Sequence, residues 1–213
     1  TTLGGATTVT VGSGNVTFTG AVNGANTLAV NSTGATLFSA AVGGSTPLTS
    51  LTTNAGGTVS LLSVTTTGAQ SYGEAATLNG IYTTTNSAFS VAGTTTLGGG
   101  TTVTVGSGPV TFTGAVNGAN TLAVNSTGAT LFSAAVGGST ALTSLTTDAG
   151  GTVSLQSVTT SGAQSYGEDA TLNGTYTTTN AAFSVAGPTT LGGATTVTVG
   201  SGNVTFTGAV NGA

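Results

Sequence analysis

The sequence predicts an all-β chain wound as a parallel β-solenoid, and three observations carry that expectation. Strong helix formers such as Glu, Lys, Arg, Gln and Met are nearly absent, whereas Thr, Val, Phe and Tyr, which suit a pleated surface, abound. The chain is one unit given twice and begun a third time, over residues 1–94, 95–188 and 189–213. Inside the unit, the apolar spacing Phe-x3-Val-x5-Leu recurs at one constant offset: Phe18, Val22 and Leu28 are followed by Phe38, Val42 and Leu48.

The composition sets the limits within which this pattern acts. There are 213 residues, 52 of them Thr and 37 Gly, and no Lys, Arg, His, Cys, Met or Trp. Glu74, Asp148, Glu168 and Asp169 are the only acidic side chains and give a net charge of −4. Charged residues make up 2%, against roughly 25% in ordinary domains. With 37% hydrophobic residues, this is not the low-hydrophobicity, high-charge signature of disorder. Without a cation the chain has no means of displacing counterions from phosphate, which argues against nucleic acid as a partner. The same lack argues against attachment to anionic lipid, and no apolar run approaches the ~18 residues of a membrane helix. Disulfides and thiolate metal sites are excluded by the absence of Cys. There is no basic segment leading into an apolar stretch, so no signal peptide is read. The chain has no initiator Met and opens inside a repeat, and the expectation is of a window in a longer array.

Ten of the 94 positions differ between the first two copies, and every residue of the third, 189–213, matches its counterpart in the first. A period this plain decides architecture before any motif does. Pro109, Pro47 and Pro188 each exchange with a different residue in the other copy, which places those positions at turns, strand starts or edges. Leu62/Gln156 and Ile81/Thr175 exchange apolar for polar and are expected to face outward, whereas the Phe, Val and Leu anchors never change.

Within a copy, Thr7 to Val11 (TTVTV) and Val16 to Thr19 (VTFT) alternate with the period of a strand that buries one face. The strings GSGN, NGAN, NSTG, GGST, NAGG and TLNG between strands are turn signals, since Gly and Asn tolerate positive φ. Asn54/Asp148 is expected to hydrogen-bond its own backbone in such a turn. Val91 and Leu97 repeat the Val-x5-Leu part of the spacing. A 94-residue copy would hold four or five rungs. The chain would then stack nine to eleven rungs into a rod of roughly 45 to 50 Å, at ~4.8 Å per rung. Identical positions would stack along the axis, with Phe, Val and Leu inside and Thr, Ser and Asn in outer ladders. The alternative architecture is a string of immunoglobulin-like β-sandwiches, which the copy length suits. Against it stand the lack of Trp and of a Cys pair, and an internal sub-repeat that a Greek key has no place for.

At VTTTGAQSYGEAATLNG (Val64 to Gly80) and VTTSGAQSYGEDATLNG (Val158 to Gly174) the chain resembles the β-strand repeats of giant bacterial secreted adhesins, the filamentous-haemagglutinin-like and autotransporter-type proteins. The flanking TTLGG and GNVTFTGAVNGANTLAVNSTG are similar in style, so the resemblance covers essentially the whole chain. It implies a right-handed parallel β-helix, an extracellular or bacterial cell-surface location, and a role in adhesion or as a stalk. It carries no catalytic residue.

The residues themselves offer little chemistry. A triad is impossible without His, and a Lys variant is equally excluded. Glu168 and Asp169 are the one adjacent acid pair, but the first copy has Glu74 and Ala75, and neighbours on a strand point to opposite faces. The pair is expected to be an exposed turn, with a weak calcium site as the alternative. GSG and GGG are turns and not phosphate loops, since no Lys follows. Asn15, Asn31, Asn125 and Asn203 open glycosylation sequons. Tyr72 and Tyr82 are expected at a corner with the hydroxyl in water, the alternative being a carbohydrate-stacking pair. Flat Thr arrays are what ice-binding solenoids present, but TVTV, VTFT and TTT do not recur at one rung position. The sequence thus predicts no catalytic, cofactor-binding or metal-binding residue and no enzyme. It predicts a structural segment of an extracellular fibre or adhesin stalk whose first partner is itself. Direct binding of host or surface glycans by the repeats is the alternative. Exposed, aligned tyrosines would favour that alternative, and buried ones the stalk.

Overall fold

The computed structural model describes residues 1–212 and is all-β, with parallel pairing at every ladder and no helix among them. It is a parallel β-helix of about ten turns. The strands form two 12-stranded sheets by hydrogen bonding. Long strands such as Ala75–Thr83 and Thr95–Gly106 bend round a corner, so each turn crosses three ladders. Side I runs through Thr7, Leu28, Leu51, Gln70, Phe89, Val110, Thr130, Val153, Ala170, Thr189 and Val210. Side II runs through Val16, Thr36, Val59, Ala76, Thr95, Val116, Val136, Val158, Tyr176 and Val197. Side III runs through Val22, Val42, Val64, Tyr82, Val103, Val124, Thr147, Tyr166, Val185 and Phe206. At the ~4.8 Å of a sheet ladder, ten turns span ~48 Å. Parallel pairing throughout rules out the sandwich, whose sheets are antiparallel.

The strands form where the sequence alternates. In Thr27–Ser32 the burial runs in step with the pleat, with Leu28, Val30 and Ser32 inward and Thr27, Ala29 and Asn31 outward. Inward residues meet across the coil and stack on the turns before and after. Phe18 and Phe38 lie face to face at 4.8 Å, and Val22 pairs with Val42, as the sequence spacing predicts. The third anchor does not follow that spacing. Leu28 pairs with Leu51, and Leu48 pairs with Thr66, because the corner at Gly43–Thr49 lengthens that turn. Leu62 and Ile81 are exposed, as their exchange for polar residues implies.

The corners are tied from turn to turn by Asn. The Asn23 Oδ1 accepts from the backbone N–H of Ser45 (2.9 Å) and Thr46 (3.2 Å), and the Asn86 Oδ1 from that of Ser107 (3.0 Å). Asn54 and Asp148 do the same for Ser32 and Ser126, both at 2.8 Å. From sequence, a bond within its own turn is expected for Asn54/Asp148. The bond instead reaches the preceding turn, because stacking leaves that N–H without a ladder partner.

A copy does not wind a whole number of turns. Thr7 lies on side I, but its counterpart Thr101 lies on side III beside Val103. Val16 is on side II and its counterpart Val110 on side I; Val22 is on side III and Val116 on side II. Each 94-residue copy therefore crosses fourteen sides, four and two-thirds turns, and identical positions do not stack. The four or five whole rungs expected from sequence bracket this value and miss its fraction. Thr95–Gly106 pairs with Ala75–Thr83 on one edge and with Val116–Asn117 and Thr121–Ser126 on the other, so no break marks the boundary between copies.

Candidate functional site

The acids are the first place to look for chemistry, and burial separates them. Glu168 is 4% exposed and its Oε2 accepts from the Thr147 hydroxyl at 2.6 Å across the turn. Asp169 next to it is exposed. Asp169 is exposed as expected but opens the strand Asp169–Thr177 opposite Thr152, whereas Glu168 lies in the bend and is buried, so neither residue is the expected exposed turn. Glu168 tucks under the corner, because Thr147 on the neighbouring turn offers a donor that no local string reveals. Glu74, also 4% exposed, sits in the equivalent place beside Thr53. Burial pushes both carboxyls above their ordinary range, and for Glu168 the Thr147 hydrogen bond offsets part of that rise. No group of acids with metal-ligand spacing and no pocket occurs among the described residues.

The tyrosines lie inside. Tyr72, Tyr82, Tyr166 and Tyr176 are at most 1% exposed. Tyr72, Tyr82 and Phe89 pack edge to face with centroids 5.6 to 6.5 Å apart. The hydroxyls do not reach water as expected. The Tyr82 hydroxyl donates to the Leu61 carbonyl (3.1 Å) and accepts from the Asn79 N–H (3.1 Å). The Tyr72 hydroxyl donates to the Gln70 Oε1 at 3.1 Å. Burial raises all four tyrosine pKa values, that of Tyr176 to about 12.

Gln70 and its counterpart Gln164 are the interior polar residues that sequence reasoning passed over. Gln70 is wholly buried, and its Nε2 donates to the carbonyls of Thr83 (2.9 Å) and Val64 (3.2 Å), with the Thr66 hydroxyl at 3.3 Å. The same bonds recur at Gln164. The period-2 string Gln-Ser-Tyr held the signal, since Gln70 must face the same way as the buried Tyr72.

The outer surface carries small side chains and few charges. One ladder on side I reads Thr8, Ala29, Thr52, Ser71, Ser90, Thr111 and Leu131, so no pure Thr face forms. Of the sequon asparagines, Asn15 and Asn203 are exposed. The Asn15 Oδ1 holds the Ala35 N–H at 2.9 Å, and the Asn125 Nδ2 donates to the Thr104 hydroxyl at 3.3 Å. The terminal turns present unstacked faces: Val11 is 42% exposed where Val105 is 0%, and Val210 47% where Val116 is 0%. No helix among the described residues is long and apolar enough to cross a membrane. No family model, curated protein or solved structure matches the chain.

Proposed function

We propose that this chain is a structural segment of an extracellular fibre or adhesin stalk, a rod that extends from the bacterial cell surface and whose length is set by the number of copies. The observation that carries this reading is the unbroken ladder across the copy boundary at Thr95–Gly106. Each copy adds four and two-thirds turns, or ~22 Å of rod, without a new kind of contact. The mechanism is mechanical reach: stacked backbone hydrogen bonds and an apolar interior hold a distal binding element away from the cell. Buried tyrosines support a stalk over an aromatic glycan platform. The reading assigns no catalytic residue, cofactor or metal. Its partners are neighbouring turns of the same array, with end-to-end or lateral contact between rods at the charge-poor surface. Electron microscopy of chains with increasing copy number tests it. A uniform rod that lengthens by ~22 Å per copy is expected; globular beads, or a length that does not follow copy number, would overturn it. Antibody labelling of intact cells of the source tests the location, and labelling only after lysis would refute it.

A further inference from the structure

We infer that an array of this repeat has no front: each patch of a copy's surface is turned by a third of a revolution from one copy to the next, so that it faces all three sides in succession. The chain itself contains one full cycle. Phe18 lies in the side II ladder, Phe112 in that of side I and Phe206 in that of side III, although the three occupy identical sequence. The three ladders share no residue along their length. Fourteen sides per copy on a three-sided coil leave each copy one side short of five turns. Any surface feature then returns to the same side only after three copies, fourteen turns, or ~67 Å at the ladder spacing. Successive instances lie ~22 Å apart along the axis and a third of a turn apart around it.

This decides what kind of partner the outer surface fits. A partner that lies flat along one side, such as a planar lattice, meets a given patch on one copy in three. A multivalent partner that surrounds the rod meets it on every copy. The same holds for substitutions: the exposed Leu62 and Ile81 project from the corner between sides II and III, and their polar counterparts Gln156 and Thr175 from the corner between sides I and II. No apolar stripe therefore accumulates along one edge. The inference rests on the ladder register alone and stands whether or not the rod is a stalk.

Label distances in the full chain test it, since the protein has no Cys. Ser13, Ser107 and Ser201 are equivalent residues, exposed in all three copies, and fall at three different corners. Thr113 is also exposed and lies at the corner of Ser13, five turns on. With spin labels at Ser13→Cys and Ser107→Cys, the separation combines ~22 Å of rise with a side of ~20 Å, about 30 Å in all. Ser13→Cys with Thr113→Cys should give about 24 Å, from rise alone. The Ser13/Ser107 pair should thus be farther apart than the Ser13/Thr113 pair, although it is closer in sequence. The reverse order would overturn the inference, because whole-turn copies would bring Ser107 directly over Ser13. A third pair, Ser107→Cys with Ser201→Cys, should reproduce the first distance, and a value of about 24 Å or less would overturn the inference independently.

Discussion

If stacking on both neighbours supplies most of the stability, one substitution should cost different amounts at equivalent positions. Phe18 and Phe112 have the same sequence context, but Phe112 is 0% exposed and packed between two rings, Phe89 at 5.7 Å and Phe132 at 5.2 Å and 5°. Phe18 is half-buried and meets one ring, Phe38. Removing a fully buried Phe side chain costs about 3 to 5 kcal/mol, and each ring pair contributes about 0.5 to 1.5 kcal/mol. Phe112→Ala should fall near the top of that range, at about 4 to 5 kcal/mol. Phe18→Ala loses about half the burial and a single ring pair, about 1 to 2 kcal/mol. Fraying of the first turn would lower the Phe18→Ala cost further and so widen the gap. Urea unfolding followed by far-UV circular dichroism measures both, with intrinsic tyrosine fluorescence as a second probe. Equal losses, or a larger loss for Phe18→Ala, would refute the argument that turn-on-turn stacking carries the fold.

Three further expectations follow from the interior and the corners. Gln164→Leu leaves the buried Tyr166 hydroxyl without its acceptor, at about 1 to 3 kcal/mol, while the Thr177 carbonyl keeps its bond from the Thr160 N–H. Adding Tyr166→Phe should return part of that loss in a double-mutant cycle, and strict additivity would show that the two do not interact. Gly43 and Gly137 have φ of 71° and 73°, and a methyl there would run into the Thr65 or Thr159 carbonyl oxygen. Either Gly→Ala change should cost more than about 2 kcal/mol, while Gly4→Ala, with open space around it, should stay within about 0.5 kcal/mol; thermal melts that do not separate them would be evidence against the close corner. Burial raises the Glu74 and Glu168 pKa values, so the folded state holds these protons more tightly than the unfolded chain does. The melting temperature should therefore rise as pH falls from about 7 toward the unfolded carboxyl value of about 4.3, and fall again as pH climbs through the raised folded values. Glu74→Gln with Glu168→Gln should flatten that profile, and an unchanged slope would assign it to other groups.

Much of this architecture is legible in the sequence, and the misses share one cause. Alternation in TTVTV and the Phe-x3-Val anchors depend on neighbours along the chain or one nearly constant turn away, so they read correctly. Turn length is not constant: the turn that brings Leu28 to its partner Leu51 is longer than the one that brings Val59 to Ala76. The corner Gly43–Thr49 displaces Leu48 from the slot the spacing gives it. The phase of a copy is the accumulated result of these unequal corners, which no local pattern encodes. Glu168 escapes a reading of its own string for a related reason. That string looks like a turn and does bend at Glu168, but its burial is decided by Thr147 on the turn beneath. Gln70 is legible from the pleat alone, which puts it on the face of Tyr72.

The fractional phase also constrains the cross-section. Val16 to Phe18 stacks under Thr36 to Phe38 on side II, and Val110 to Phe112 stacks in the same register under Thr130 to Phe132 on side I. Each copy carries its neighbours round with it, so an interior side chain with a turn on both sides meets the same partners whichever side it lands on. That is possible only if the three sides can be interchanged, which requires ladders of matched spacing and corners that accept one another's loops. Near-identity of the copies supplies this: Gly34 and Gly128 pass the same corner strand on different sides, each against the backbone of Ser13–Gly14 or its counterpart Ser107–Gly108. Substitutions are then tolerated where they touch no adjacent turn's interior, as at Ile81/Thr175, whereas a change in the number of sides in one copy would put every later turn on the wrong side. A one-residue insertion at a corner can be absorbed locally, but loss of a single strand would end the interchange for all copies beyond it. The sequence is consequently held to a fixed number of sides per copy more tightly than to any one surface residue.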